Sequence, residues 1–471
     1  MSDKSKSGFL NRTLKNLRQA WQGIAGSEYD ESAASMQPDL PEKDAERLLE
    51  QMHACLETRG GEVSARARAA ALGRAYLALN EIGKVRFLEV LAGNFDVDHA
   101  AVDAAMLALQ GITEQGARYQ GEADLRKTLD PPRLKLLTQF NALPEGVKFL
   151  VDMRADLLAL ARDNAHLRGL EQDLKGLLNT WFDIDFLELR RISWDASSAS
   201  LLEKLIAYEA VHAIESWDDL KNRLDSDRRC FAYFHPRMPD EPLIFVEVAL
   251  VDGMSDSIQA LLDDTAPVID PASADTAIFY SISNAQKGLE GISFGNFLIK
   301  GVVSSLAGEF EGLNTFATLS PMPGFRAWLD KRLADGDKDL LTASDRKALK
   351  AIDGNSGGTK GKFKALLDDQ DGALCEAMQG PLMRLAAQYL ALEKKRQGGF
   401  RVLDPVAHFH LSNGARIQRL NWRGDLSSKG LSQSAGIMVN YLYKLSHLEA
   451  NHEAYTSSGK VAASSSVRSF L

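Results

Sequence analysis

The chain has 471 residues, of which 45% are hydrophobic and 25% are charged. This length exceeds what one hydrophobic core commonly supports, so we expect two domains, and the composition excludes a disordered, collagenous or disulfide-stapled protein. The 55 basic and 64 acidic residues leave a net charge of −9, which argues against a nucleic-acid partner. No stretch approaches the roughly 18 uninterrupted apolar residues that a membrane-spanning helix needs, so we expect no membrane insertion.

The cysteines and the N-terminal residues indicate a cellular compartment. The three cysteines are far apart and form no Cys-x-x-Cys pair: Cys55, Cys230 and Cys375. This spacing argues against a structural zinc site or a disulfide framework and fits a reducing compartment. Residues 4–18 form a basic amphipathic pattern that transit peptides share with surface helices, but the acidic Asp3 and Glu28 favour a surface helix. We therefore expect a cytoplasmic protein.

Residues 1–178 predict a bundle of helices. Apolar residues repeat at helical spacing, as in Leu48, Met52 and Cys55, and Asp98 stands where it can cap a helix running through Leu109. Short connections between such segments favour a packed bundle. Because this part shows no catalytic arrangement of residues, we interpret it as a structural or oligomerisation domain.

Residues 179–471 have a different pattern. Apolar and β-branched runs bounded by turn residues predict strands at 230–234, 243–250 and 277–282. Helical patterns lie between these runs, including 201–214 and 295–310, so we expect a mixed α/β sheet domain. The serine-rich end, 456–471, is typical of a frayed tail.

A glycine-containing junction follows the third predicted strand. Gly288, Gly291 and Gly295 separate this strand from a helical pattern, and their spacing does not match Gly-x-Gly-x-x-Gly. Glycines let a backbone approach a ligand closely, and a helix start presents unpaired N–H groups that bind phosphate. The pattern fits a phosphate or pyrophosphate site and an ordinary helix-start turn equally well.

Two further segments contain side chains suited to proton transfer. Ser320 lies in a loop whose backbone is restricted by Pro321, Pro323 and Gly324, and His410 precedes a polar turn. Taken singly, each is more simply explained as a structural residue. His408 and His410 could also place two metal ligands on one face of a strand, but the spacing indicates no third ligand, so we predict no metal site.

Five segments in order resemble the malonyl-CoA decarboxylase family. They are FAYFHPRMPDEPLIFVEVAL (231–250), FYSISNAQKGLEGISFGNFLIKGVV (279–303), TLSPMPGFRAWL (318–329), FHLSNGA (409–415) and GIMVNYLY (436–443). The resemblance implies a helical domain, 1–178, followed by a catalytic domain of acetyltransferase-like (GNAT-like) mixed α/β fold, 179–471. It also implies a cofactor-independent carboxy-lyase that forms homo-oligomers, either dimers or tetramers, and that binds malonyl-CoA and acetyl-CoA.

The resemblance also assigns site residues by position. The catalytic serine falls at Ser320 and the catalytic histidine at His410, both of which also contact the substrate. The malonyl-CoA-binding loop falls on seven residues: Glu290, Gly291, Ile292, Ser293, Phe294, Gly295 and Asn296. Two alternatives share the fold. One is a CoA-dependent acyltransferase, which needs an acceptor, and the other is a non-catalytic acyl-CoA sensor; fold alone does not separate them from a decarboxylase.

Overall fold

The computed structural model describes residues 18–21, 24, 36–57, 61–182, 186–292, 298–351, 358–369, 375–395 and 399–471. The chain divides into two compact units. The first comprises 1–188, 234–243 and 285–294, and the second comprises 189–233, 244–284 and 295–471. A helical first part followed by a mixed α/β part confirms the fold class predicted from the sequence. The boundary predicted between residues 178 and 179 stays a prediction.

The first unit is built from helices. In chain order they are α1 (Glu42–Leu56), α2 (Gly61–Ala78), α3 (Glu81–Asn94), α4 (His99–Gln110), α5 (Gln115–Leu129), α6 (Pro132–Asn141), α7 (Gly146–Leu160) and α8 (Ala165–Trp181). Local signals place several of the ends. The Asp98 carboxylate accepts the Ala101 N–H and caps α4, as predicted, and Pro132 stands in the first turn of α6, where its missing N–H costs nothing.

Aromatic rings fill the centre of this unit. Phe149 on α7 makes edge contacts with Trp21 and Tyr76, with ring centroids 5.0 Å and 5.6 Å apart, and all three side chains are buried. Such rings bury large apolar areas and prefer edge-to-face geometry, so they hold the helices of the unit together. Residues 1–17, which include most of the amphipathic segment, lie outside the described residues.

The second unit contains most of a mixed β-sheet. Its strands, in the part of the chain that the structure describes, are β1 (Glu188–Ile192), β2 (Arg228–His235), β3 (Met238–Val251), β4 (Thr276–Asn284), β5 (Thr315–Thr318), β6 (Arg416–Asn421) and β7 (Met438–Leu442). Their order in the sheet is β1-β2-β3-β4-β5-β7-β6. The three predicted strand runs lie within β2, β3 and β4 and are confirmed.

The pairing changes direction in the middle of the sheet. β3 and β4 are antiparallel, β4 and β5 are parallel, and β5 and β7 are antiparallel with Ala317 opposite Leu442. A second β5–β7 contact lies beyond the end of β5, where Ser320 forms an isolated bridge with Val439. The sheet therefore determines the backbone position of the candidate serine.

The sheet is flanked by helices. They are α9 (Ala199–Tyr208), α10 (Trp217–Arg223), α11 (Ile258–Leu261), α12 (Leu298–Glu309), α13 (Phe325–Ala334), α14 (Ala343–Lys350), α15 (Gly358–Asp368), α16 (Glu376–Ala391), α17 (Pro405–Ser412), α18 (Ser428–Ser434), α19 (Leu448–Ser458) and α20 (Ser465–Arg468). Within the described ranges, no helix is long and apolar enough to cross a membrane.

The frayed tail predicted for 456–471 is wrong. The Ser464 hydroxyl donates to the Gln418 carbonyl and accepts the Val467 N–H, which caps α20, and Val467 is buried. The Ile417 N–H donates to Ala462 beside strand β6. Serines that suggest disorder in a sequence are also the preferred helix caps, and tertiary contacts with β6 supply the burial that a free tail lacks.

Candidate active site

Ser320 is held by backbone hydrogen bonds on both sides. Its N–H donates to the Val439 carbonyl, and the Val439 N–H donates to the Ser320 carbonyl, each at 2.8 Å. Two residues earlier, Thr318 ends β5, and its hydroxyl oxygen accepts the Tyr441 N–H at 3.1 Å. Bonds between β5 and β7 thus fix the direction in which the serine side chain leaves the backbone.

His410 is carried by α17, and this helix is anchored at its first turn. Asp404 is fully buried, accepts the Ala407 N–H at 2.8 Å as an N-cap, and also accepts the Tyr389 hydroxyl at 3.1 Å. Burial raises the pKa of the Asp404 carboxyl, which is consistent with its position inside the protein. Gly414 follows the helix with φ of +81°, a conformation that glycine adopts at low cost, so both ends of the helix are defined.

The structure brings the two residues together. The distance from Ser320 Oγ to His410 Nε2 is 3.1 Å, although the residues are 90 positions apart in the chain. The Ser320 hydroxyl is also 2.9 Å from Thr318 Oγ1, and His410 Nδ1 is 2.7 Å from the Tyr443 hydroxyl. The imidazole stacks on the Tyr441 ring, with centroids 4.4 Å apart and an interplanar angle of 25°. Both ring nitrogens therefore have partners, and the ring plane is fixed.

Burial determines the charge of the histidine. His410 is 2% exposed and Ser320 is 6% exposed. Desolvation lowers the pKa of His410 from 6.5 to about 3, because the surroundings solvate an imidazolium poorly. The ring is therefore neutral near pH 7. A proton arrangement consistent with the distances has the Tyr443 hydroxyl donating to Nδ1 and Nε2–H donating to Ser320, whose own hydroxyl donates to Thr318.

A cavity of about 240 Å³ opens onto the pair. Its lining is mainly apolar: Val211, Ile244, Phe279, Tyr280, Ile282, Pro321, Pro405, Val406 and Phe409, together with Asn284, Ser320 and His410. A small acyl group fits this volume, and few groups in its wall can solvate a charge. The arrangement therefore suits a reaction in which a charged group leaves as a neutral molecule.

The part of the predicted glycine loop that the structure describes, residues 288–292, belongs to the first unit, and a 3-10 turn, Lys287–Leu289, starts it. A Cβ on Gly288 would lie 1.7 Å from the Val151 carbonyl oxygen, so only glycine fits against α7 at this position. Arg154 Nη1 donates to the Gly288 carbonyl at 2.5 Å. Of the predicted loop residues, Glu290, Gly291 and Ile292 are described here; Ser293, Phe294, Gly295 and Asn296 lie outside the described residues.

The histidine pair does not form a metal site. His408 and His410 lie two residues apart on helix α17 rather than on a strand, so they point in different directions. His408 Nδ1 meets the Tyr455 hydroxyl at 2.8 Å, whereas His410 Nδ1 meets Tyr443. Among the residues that the structure describes, no group of three or more His, Cys, Asp or Glu side chains could hold a metal ion.

Sequence reasoning missed three residues of the site: Thr318, Tyr443 and Asp404. Tyr443 and Thr318 lie inside quoted segments, 436–443 and 318–329, but nothing in a strand pattern distinguishes a tyrosine that bonds an imidazole from one that packs in a core. Asp404 carries a usable signal, because Asp followed by Pro is typical of a helix start. That signal predicts the helix that carries His410.

A fixed serine–imidazole pair buried at an apolar cavity in a mixed α/β sheet is an arrangement that enzymes with general acid–base chemistry use. Comparison with known proteins gives the family. The family model for the malonyl-CoA decarboxylase C-terminal domain matches residues 185–471, and the N-terminal domain model matches 95–182. The chain therefore belongs to the malonyl-CoA decarboxylase family, a family of carboxy-lyases, which confirms the resemblance read from the sequence.

Individual proteins of this family are similar to the present chain over most of its length. The protein named mitochondrial malonyl-CoA decarboxylase in Mus musculus is 37% identical over 476 aligned positions, covering 95% of this chain and 92% of the relative. The Anser anser anser protein of the same name is 40% identical over 407 residues, covering 82% and 80%. The crystal structure of malonyl-CoA decarboxylase from Rhodopseudomonas palustris has a TM-score of 0.81 and 43% identity, covering 90% of this chain and 99% of that one.

Proposed function

We propose that this protein converts malonyl-CoA to acetyl-CoA and CO₂, with His410 as proton donor and Ser320 as the hydroxyl that binds the malonyl head. The observation that carries the proposal is the 3.1 Å contact between Ser320 Oγ and His410 Nε2 at an apolar cavity. Family membership supports it, because relatives across most of the chain carry the name of this activity.

The chemistry needs little from the protein in the bond-breaking step. The bond between Cα and the carboxylate carbon breaks, its electron pair moves into the thioester carbonyl, and CO₂ leaves an enolate behind. Water solvates a carboxylate far better than it solvates CO₂, so the apolar lining around Ser320 favours the departure of CO₂. The thioester carbonyl itself accepts the electrons, so the step draws on no cofactor.

The second step adds a proton to the enolate carbon. His410 enters the reaction neutral, because burial lowers its pKa. The negative charge of the enolate favours protonation of the ring by a proton from solvent, and the imidazolium then donates its Nε2 proton to the enolate carbon and returns to the neutral form. The Tyr443 hydroxyl at Nδ1 holds the ring in place during this transfer. Ser320 hydrogen-bonds the malonyl head and takes the acceptor role that the resemblance assigns to it. One proton is consumed for each CO₂ released.

The glycine loop is the proposed anchor of the nucleotide end. By resemblance, residues 290–296 bind malonyl-CoA, and Gly291 has φ of +72°, which leaves its backbone open to close approach. Binding energy from this remote part of the substrate would position the malonyl head. Gly291→Val should therefore raise KM for malonyl-CoA, because a branched side chain blocks approach and strains this backbone.

The test measures CO₂ released from carboxyl-labelled malonyl-CoA with no other addition. We expect Ser320→Ala and His410→Ala to lower kcat by about a hundredfold or more, the usual contribution of a positioned proton donor. His408→Ala is the matched control, because His408 lies on the same helix but bonds Tyr455 instead of facing the cavity. Full activity in a folded His410→Ala variant would exclude His410 from this role.

The same assay separates the two alternatives. A CoA-dependent acyltransferase would release no CO₂ from malonyl-CoA alone and would turn over when an amine acceptor is added. A non-catalytic acyl-CoA sensor would bind malonyl-CoA without forming acetyl-CoA under either condition. Acetyl-CoA formation in the absence of an acceptor supports the decarboxylase.

We also propose that the protein is a cytoplasmic homo-oligomer, a dimer or tetramer. Helices α4 and α5 pack against each other, yet neither contains a buried residue within the described chain. α4 is largely apolar, and Leu107 is 70% exposed and Met106 45% exposed. A second copy of the chain would cover this surface. Light scattering should show an oligomer that Leu107→Glu dissociates, and fractionation of the source cells tests the location.

A further inference from the structure

Helix α8 carries a lysine, Lys175, close to Gly291 of the glycine loop. Among the described residues, the Lys175 ammonium makes no hydrogen bond or ion pair. The acidic residues nearest to it along the helix are both occupied. Glu171 Oε1 lies 2.7 Å from Arg154 Nη2, and Asp173 Oδ2 lies 2.6 Å from Arg133 Nε. Within the described residues, no carboxylate therefore neutralises the positive charge of Lys175.

The Lys175 ammonium lies next to the Gly291 backbone. A Cβ on Gly291 would lie 3.2 Å from Lys175 Nζ and 3.8 Å from its Cε, so the absence of a side chain leaves the ammonium beside bare backbone. The Gly291 N–H has no acceptor among the described residues. An ammonium and an unpaired backbone N–H at a left-handed glycine form the donor set that proteins use for phosphate oxygens.

The first unit also holds this backbone in place. The Arg154 side chain is buried, bonds Glu171 through two of its nitrogens, and donates a third N–H to the Gly288 carbonyl. Gly288 packs on the α7 backbone so closely that no side chain fits. The backbone that leads to Gly291 is therefore held in place before a ligand arrives, which lowers the entropy cost of binding.

The charges around Gly291 are of both signs. Glu290 is exposed and carries a negative charge, and Lys287 is exposed and carries a positive one, so they offset each other. Among the described residues, the charge of Lys175 is not offset by an ion pair. We propose that Lys175 binds a phosphate group of coenzyme A beside Gly291, an inference that rests on the proposed function and adds a residue from helix α8 to that site.

Truncated substrates test the proposal. With malonyl-CoA, we expect Lys175→Met to raise KM roughly tenfold with kcat retained, which matches the loss of one charge-assisted hydrogen bond. With malonyl-pantetheine, which has no phosphate, native and variant proteins should have the same KM. Lys175→Arg should keep most of the affinity. Lys135→Met, at an exposed lysine of α6, is the control for a general change in net charge.

A substrate without the 3′-phosphate shows whether Lys175 binds the diphosphate or the 3′-phosphate of coenzyme A. If the Lys175→Met effect persists with malonyl-3′-dephospho-CoA, the lysine binds the diphosphate; if it vanishes, the lysine binds the 3′-phosphate. An equal KM increase with malonyl-pantetheine, or no increase with malonyl-CoA, would overturn the proposal.

A direct measurement of coenzyme A binding tests the role of Lys175 independently of the decarboxylase activity. Calorimetry with coenzyme A alone measures the Lys175 contribution whether or not CO₂ is released. If the native protein forms no acetyl-CoA but Lys175→Met still weakens coenzyme A binding, the decarboxylase assignment fails and the phosphate site stands. Equal coenzyme A affinity in both proteins would refute the site.

Discussion

The buried imidazole of His410 should make the folded protein less stable as the pH falls below 6.5. Its pKa falls from 6.5 to about 3 on folding, so between these values the unfolded chain binds a proton that the folded chain does not. Unfolding is then favoured as pH falls: the contribution of this group to stability is fully present above pH 6.5 and is lost progressively down to pH 3. At pH 5 the loss relative to pH 7 is about 2 kcal/mol, and at pH 3 it is about 4 kcal/mol.

His410→Gln removes this titration while keeping an amide near the position of Nε2. The variant is less stable than the native protein at pH 7, because the bonds to Ser320 and Tyr443 are altered. The stability difference between the two proteins should shrink by about 2 kcal/mol between pH 7 and pH 5, since only the native protein loses the His410 contribution.

Urea denaturation at pH 7, 6 and 5, followed by fluorescence, gives both free energies of unfolding. His212→Gln serves as a second probe, because burial lowers the pKa of His212 to about 4 and the same sign of pH dependence follows. Parallel pH curves for native protein and His410→Gln would refute the reasoning, since they would mean that the imidazole titrates alike in folded and unfolded chains.

Three further substitutions test how the site is held together. Tyr443→Phe removes the 2.7 Å bond to His410 Nδ1, and we expect kcat to fall roughly tenfold; an unchanged kcat and pH profile would show that the hydroxyl does not position the ring. Asp404→Ala leaves the first turn of α17 uncapped and a buried tyrosine hydroxyl unpaired, so urea denaturation should show a loss of about 2 kcal/mol. Gly324→Ala places a Cβ 2.4 Å from the Tyr389 hydroxyl, and crowding of this kind costs about 1–3 kcal/mol; an unchanged melting temperature would contradict the tight packing of this loop.

Much of the local structure was predictable because local chemistry encodes it. Asp98 caps α4 in the structure as the sequence predicts, and the apolar runs 230–234, 243–250 and 277–282 form strands. Helix capping and strand alternation involve residues a few positions apart, so a pattern in the chain is sufficient to place them. The order of the segment 456–471 was not predictable from local patterns, because it depends on contacts with β6, which is distant in sequence.

The sequence by itself determined the two-part architecture, the family and the identities of the candidate serine and histidine. Only the tertiary structure decided that these side chains meet, since 90 residues separate them and the contact depends on the pairing of β5 with β7 and on the anchored start of α17. The lowered pKa of the imidazole is also a tertiary property, because it follows from desolvation rather than from any neighbouring residue in the chain. The same is true of Lys175, whose position over Gly291 arises from the packing of a helix against a loop more than one hundred residues further along the sequence.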